Sequence, residues 1–136
     1  MPRRVIIGAV VASLVLVGVS CSSEEGRERG SGTSSSVEAG ADGVQQIEVT
    51  ISDAGCEPQT IVANEGPARF TVHNDGSSAV TEFEVLDGGR IIGEVENVFP
   101  GVEKAFSLTL QPGTFVTYCP NGDVERGTLE VVSGAG

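Results

Sequence analysis

From Val44 onward the chain alternates apolar and polar residues in short runs broken by turn residues. Side chains of an extended strand point alternately to opposite faces, so this pattern buries one face of each strand and wets the other. Ile47, Val49 and Ile51 alternate with Gln46, Glu48 and Thr50. Similar runs cover 60–63, 69–74 with Phe70 and Val72 on one face, 80–86, 90–96, 102–110, 115–119 and 128–132. Between them stand Asn64-Glu65-Gly66-Pro67, Asn74-Asp75-Gly76, Asp87-Gly88-Gly89, Pro100-Gly101, Gln111-Pro112-Gly113 and Asn121-Gly122-Asp123, all rich in turn formers. The expected fold is all-β, an antiparallel sandwich of seven to eight strands over residues 44–133. No helix is required beyond one turn near Asn97.

A chain of 136 residues has room for one such domain. Aromatic residues make up 4% and Trp is absent, so Val, Ile, Leu and a few Phe must fill the interior. A deep apolar catalytic pocket is not expected from that stock.

Ahead of the domain, Arg3 and Arg4 precede an apolar run from Val5 to Val19, followed by Ser20 and Cys21. A basic start and a run of this length are an export signal, short for a bilayer-spanning helix. Gly18-Val19-Ser20-Cys21 reads as a lipoprotein processing site, with residues 1–20 removed and Cys21 lipidated, although Leu is usual where Gly18 stands. An uncleaved anchor and an ordinary signal peptide are the alternatives, and all three place the domain outside the cytoplasm. Residues 21–43, which include the Ser, Gly, Glu and Arg stretch SSEEGRERGSGTSSS, form a flexible linker, because they offer too little apolar surface to offset the entropy of ordering.

Removal of the signal leaves six basic against nineteen acidic residues, a formal charge of −13. Such a surface repels nucleic acid and anionic lipid and gathers cations, so nucleic acid is excluded as a partner. Solubility alone is the other explanation of the acidity.

Several segments resemble a known family. Cys56-Glu57-Pro58, Thr60-Ile61-Val62-Ala63 and Phe70-Thr71-Val72-His73-Asn74 resemble the opening of a cupredoxin, and residues 111–119 with 127–131 resemble its closing hairpin. The N-terminal cupredoxin-like domain of EfeO-type periplasmic iron-uptake proteins is similar over residues 46–132. That similarity takes in Glu82-Phe83-Glu84-Val85-Leu86, Glu96-Asn97 and Pro100-Gly101. It implies a cupredoxin-like Greek-key β-sandwich, without the helical C-terminal domain of full EfeO proteins. It also implies that Glu82, Glu84 and Glu96 match proposed iron ligands, and that other iron-uptake components are the protein partners.

A blue-copper centre is not expected. It needs two imidazoles and a thiolate, usually with a weak axial Met. The position matching the upstream His is Glu82, no His follows Cys119, and the one Met is Met1. His73 has the opposite parity to Phe70 and Val72, which points it into solvent. Alone there, it supports no hydrolytic triad either, so the balance leans against an enzyme and catalysis stays open only through a copper-dependent reading.

Two sets of residues carry the remaining chemistry. Glu82 and Glu84 share one face of a strand, and Glu94 and Glu96 share the corresponding face of the next. Pairing through the Asp87-Gly88-Gly89 turn brings all four together as a carboxylate site for a hard cation such as Fe(III) or Ca(II). The competing explanation is the charged face of an edge strand, which discourages aggregation. Cys56 and Cys119 are either thiolates for a soft ion such as Cu(I) or a disulfide that binds nothing. The extracytoplasmic setting favours the disulfide, whose loop closure would stabilise the fold by roughly 4 kcal/mol. Asp53, Glu57, Asp123 and Glu125 are loop acids, or a second acidic cluster beside the cysteines. Three readings follow: a lipid-anchored module that binds or hands over iron, a copper-dependent ferroxidase-like or electron-transfer domain, and a metal-free structural or interaction domain.

Overall fold

The computed structural model describes residues 34–37, 40 and 42–134. The predicted signal segment and Cys21 lie outside the described residues. Ten strands follow in order: β1 (Ser34–Ser36), β2 (Gln45–Ser52), β3 (Gly55–Glu57), β4 (Thr60–Asn64), β5 (Gly66–Asn74), β6 (Phe83–Asp87), β7 (Arg90–Val95), β8 (Glu103–Leu110), β9 (Gly113–Tyr118) and β10 (Arg126–Val132). They form two sheets, β1-β4-β10-β9-β6-β7 and β3-β2-β5-β8.

All eight predicted runs are strands. The two additional ones are three residues long, too short to show an alternation. Ser34–Ser36, inside the stretch read as linker, pair with the outer edge of β4, where unpaired backbone groups accept any extended partner. The region near Asn97 holds no helical turn; Asn97 is a single left-handed residue with φ 55°, a conformation that Asn tolerates.

The pairing departs from the purely antiparallel expectation. β2 pairs with β5 in parallel, as β10 does with β4. The cause is that the chain changes sheets after β4: Asn64 ends a strand of the six-stranded sheet and Gly66 begins one of the four-stranded sheet. Neighbours in sequence therefore stack across the sandwich rather than pairing as a hairpin.

Alternation along β2 buries Ile47, Val49 and Ile51, and along β5 it buries Ala68, Phe70 and Val72. The core is aliphatic with a small aromatic centre. Phe70 and Phe106 of the four-stranded sheet stack at 4.9 Å, and Phe83 of the opposite sheet lies tilted 6.1 Å from Phe70. Buried Phe and Ile side chains each stabilise by about 1.5–3 kcal/mol, so this centre fixes the distance between the sheets. Gly93 of β7 permits the approach: a Cβ there would lie 2.5 Å from Phe106 and 2.9 Å from Leu108.

Candidate metal-binding face

The hairpin of β6 and β7, on the edge of the six-stranded sheet, builds the face. Phe83 and Val85 are buried, so alternation turns Glu84 outward, and Glu82, one residue ahead of the strand, lies in the same parity. Gly88 and Gly89 have φ of 55° and 87°, the positive pair that a two-residue hairpin loop needs. The loop starts the ladder with Asp87 opposite Arg90, and a register shift between Val85 and Leu86 then puts Glu84 opposite Glu94 and Phe83 opposite Val95. Glu82 and Glu96 are the next residues of the two arms, just past the end of the ladder. A backbone bond from Val98 N–H to the Thr81 carbonyl, 2.9 Å, keeps the arms together beyond it. The Lys104 ammonium donates to the Glu96 carbonyl at 2.8 Å.

Electrostatics report the crowding. The Glu84 carboxyl is held above the usual carboxylate range, first by partial burial and then by the charges of Glu82, Glu94 and Glu96. Arg126 acts in the opposite direction. On its other side Glu84 lies opposite Tyr118, and Tyr118 opposite Arg126, whose guanidinium sits 4.7 Å above the phenol ring. One row across the sheet thus reads Glu94, Glu84, Tyr118, Arg126. Among the described residues, no three His, Cys, Asp or Glu side chains form a ready metal-ligand set. The four acids make an open negative face and not a cage.

Cys56 of β3 and Cys119, just after β9, are joined in a disulfide with Cα atoms 6.1 Å apart. The bond ties one sheet to the other and is buried. It consumes both thiolates, so the soft-ion reading of these cysteines holds only for reduced protein. His73 is exposed on β5, opposite Glu103 in the four-stranded sheet, away from the acids. With Cys119 bonded to Cys56, one His in the whole chain and Met1 its one Met, the residues present do not fit a blue-copper centre.

The loop acids are engaged locally. Asp53 accepts a 2.6 Å bond from the Ser77 hydroxyl, and Glu125 accepts one of 2.9 Å from the Asn121 N–H. Asp123 is exposed, and Glu57, read from sequence as a loop acid, is the exposed last residue of β3, opposite Thr50.

Sequence reasoning missed Tyr118 and Arg126, because the pairing of β6 with β9 sets Glu84 opposite a residue 34 positions away and leaves no local signal. It also missed Asn74, which read as a turn former and is fully buried.

Residues 10–131 match the family of cupredoxin-like domains. An 86-residue stretch, 63% of the chain, is 38% identical to the iron uptake system component EfeO of Escherichia coli K12. The chain spans 23% of that relative's length. Among solved structures, the metal-binding domain of the Streptococcus pneumoniae D39 Cu(I)-exporting P-type ATPase CopA superposes with a TM-score of 0.57 at 23% identity, covering 76% of this chain and 99% of that one. Auracyanin A, a blue copper protein of Chloroflexus aurantiacus, superposes with a TM-score of 0.58 at 13% identity, covering 66% and 100%. At these identities the structural likeness shows the fold.

Proposed function

Because the chain belongs to the cupredoxin-like domain family, we propose that it is an extracytoplasmic metal-binding module that assists iron acquisition, with Glu82, Glu84, Glu94 and Glu96 receiving the ion. The observation that carries this reading is the register of the hairpin. Glu84 faces Glu94 directly, Glu82 and Glu96 extend the pair, and all three neighbours raise the Glu84 pKa. Like charges opposed across a ladder are destabilising, and a cation among them removes the penalty. Carboxylate oxygens suit hard ions, Fe(III) and Ca(II) ahead of Cu(I). Similarity to a protein named as an iron uptake component supports iron as cargo. An open face suits capture and transfer better than permanent storage.

Lipidation of Cys21 would hold the module at the membrane surface, on the strength of the Arg3-Arg4 start and the apolar run that follows. The mass of the membrane-extracted protein, compared with that of Cys21→Ser, tests this part.

Calorimetric titration of the oxidised protein with Fe(II) under anaerobic conditions, with an Fe(III) chelate, and with Ca(II) tests the ion site. Heat with iron that disappears in the Glu82→Gln/Glu84→Gln double variant supports it. Absence of heat in the wild type, or unchanged heat in the double variant, overturns it and leaves a metal-free interaction domain. A copper-dependent role requires that Cu(I) bind only after reduction of the Cys56–Cys119 bond.

A further inference from the structure

Asn74 ends β5 in the four-stranded sheet, yet its side chain serves the hairpin of the other sheet. It is fully buried. Its amide donates to the carbonyls of Ser77 at 2.9 Å, Val80 at 3.0 Å and Val98 at 2.7 Å, while its Oδ1 accepts the Ser77 N–H at 2.7 Å. Two amide protons therefore serve three carbonyls, one of them shared. Ser77 extends the knot: its hydroxyl accepts the Val80 N–H at 2.9 Å and donates to Asp53. The Asn74 backbone is engaged as well, donating to the Val102 carbonyl at 3.0 Å and accepting from Gly101 at 2.9 Å.

The carbonyls it holds come from two segments, one leading into β6 and one following β7. Ser77 and Val80 lead into Glu82, and Val98 follows Glu96 by two residues. The Glu84–Glu94 rung is fixed by the β6–β7 ladder itself. Glu82 and Glu96 lie past the last rung, where the arms are joined by the bond from Val98 N–H to the Thr81 carbonyl and by the carbonyls that Asn74 gathers. A buried amide left without partners carries a large desolvation penalty, so the position tolerates Asn only while all these bonds are made. We infer that Asn74 is the positioning residue of the carboxylate face, holding the Glu82 arm against the Glu96 arm through the carbonyls of Ser77, Val80 and Val98. The inference rests on the reading of that face as an ion site.

Backbone amide NMR with Mn(II) as a redox-stable probe of carboxylates tests it, together with hydrogen exchange at the Val98 amide. In the wild type, Mn(II) broadens the amides of Glu82, Glu84, Glu94 and Glu96 together. Asn74→Asp conserves volume and replaces the donating amide by an acceptor. Broadening then persists at Glu84 and Glu94 and falls at Glu82 and Glu96, Mn(II) affinity drops on the order of tenfold, and the Val98 amide exchanges faster while that of Phe70 stays slow. A folded Asn74→Asp that keeps all four broadened and Val98 protected overturns the inference. Should that variant fail to fold, Asn74→Ser, which removes the amide that gathers the three carbonyls, carries the test with the same two outcomes. No Mn(II) broadening in the wild type would sink the ion-site reading alone. Val98 exchange then decides for Asn74: acceleration in the variant supports the staple, and unchanged protection overturns it.

Discussion

Glu84 faces Glu94 across the β6–β7 ladder and Tyr118 across the β6–β9 ladder, so one carboxylate sits between a like charge and an aromatic ring capped by Arg126. This relationship gives the metal-free protein a pH dependence of definite sign. The folded-state pKa of Glu84 is raised, so its contribution favours folding below the unfolded-state pKa and is lost as pH rises through the folded-state pKa. Glu84→Gln is therefore expected to stabilise the metal-free protein at neutral pH by about 0.2–1 kcal/mol, the scale of opposed like charges on a sheet. Urea unfolding should show the gain shrinking toward zero well below the carboxylate range. A gain that persists undiminished in acid would mean the effect is not charge.

Removing the positive charge beside Glu84 should act on binding in the opposite sense to removing an acid. Arg126→Ala is expected to tighten divalent cation binding by about twofold, corresponding to roughly 0.5 kcal/mol for an exposed charge pair. Titration with Mn(II) at low ionic strength measures it, and the difference should fade as salt is added.

The disulfide closes a loop with a sequence separation of 63 between two sheets. Cys56→Ser with Cys119→Ser is expected to lower stability by about 4 kcal/mol in the chain-entropy account. Denaturant unfolding of the double variant, with reduced wild type as a control, checks the size. Mass spectrometry of the wild type without reductant should show two hydrogen atoms fewer than the reduced chain.

Gly93 is a packing position and not a turn position, because the obstacle to a side chain there is Phe106 and Leu108. Gly93→Ala is expected to destabilise by about 1–3 kcal/mol, as overpacking does. Thermal unfolding measures it, and pairing the change with Phe106→Leu should recover part of the loss.

The strands were readable because their signal is local. Alternation such as Ile47, Val49, Ile51 and turns such as Asp87-Gly88-Gly89 depend on near neighbours, and each appears where expected. Parity and one turn were enough to put the four glutamates on one hairpin, but the register shift between Val85 and Leu86 that sets Glu84 opposite Glu94 left no sign in the sequence. What eluded the sequence was set by distant partners. The parallel pairing of β2 with β5 follows from a change of sheet that no residue announces, and β1 and β3 are too short to alternate. Tyr118 and Arg126 acquire their neighbours only when β9 lands between β6 and β10. Asn74 looked like a turn residue because Asn usually is one; only the folded chain supplies the carbonyls that make it a buried staple.

The covalent link between Cys56 and Cys119 stands at the end of the sandwich that carries Glu82 and Glu96, while Asp87 and Gly113 mark the other end. A single covalent tie thus joins the two sheets at the end that carries the acids. Among the described residues the far end has no such tie and holds instead a cleft of about 470 Å³ lined by Ile92, Leu108, Leu110 and Phe115. Reduction of the bond therefore removes the covalent restraint from the acidic end of the sandwich and leaves the cleft end as it was.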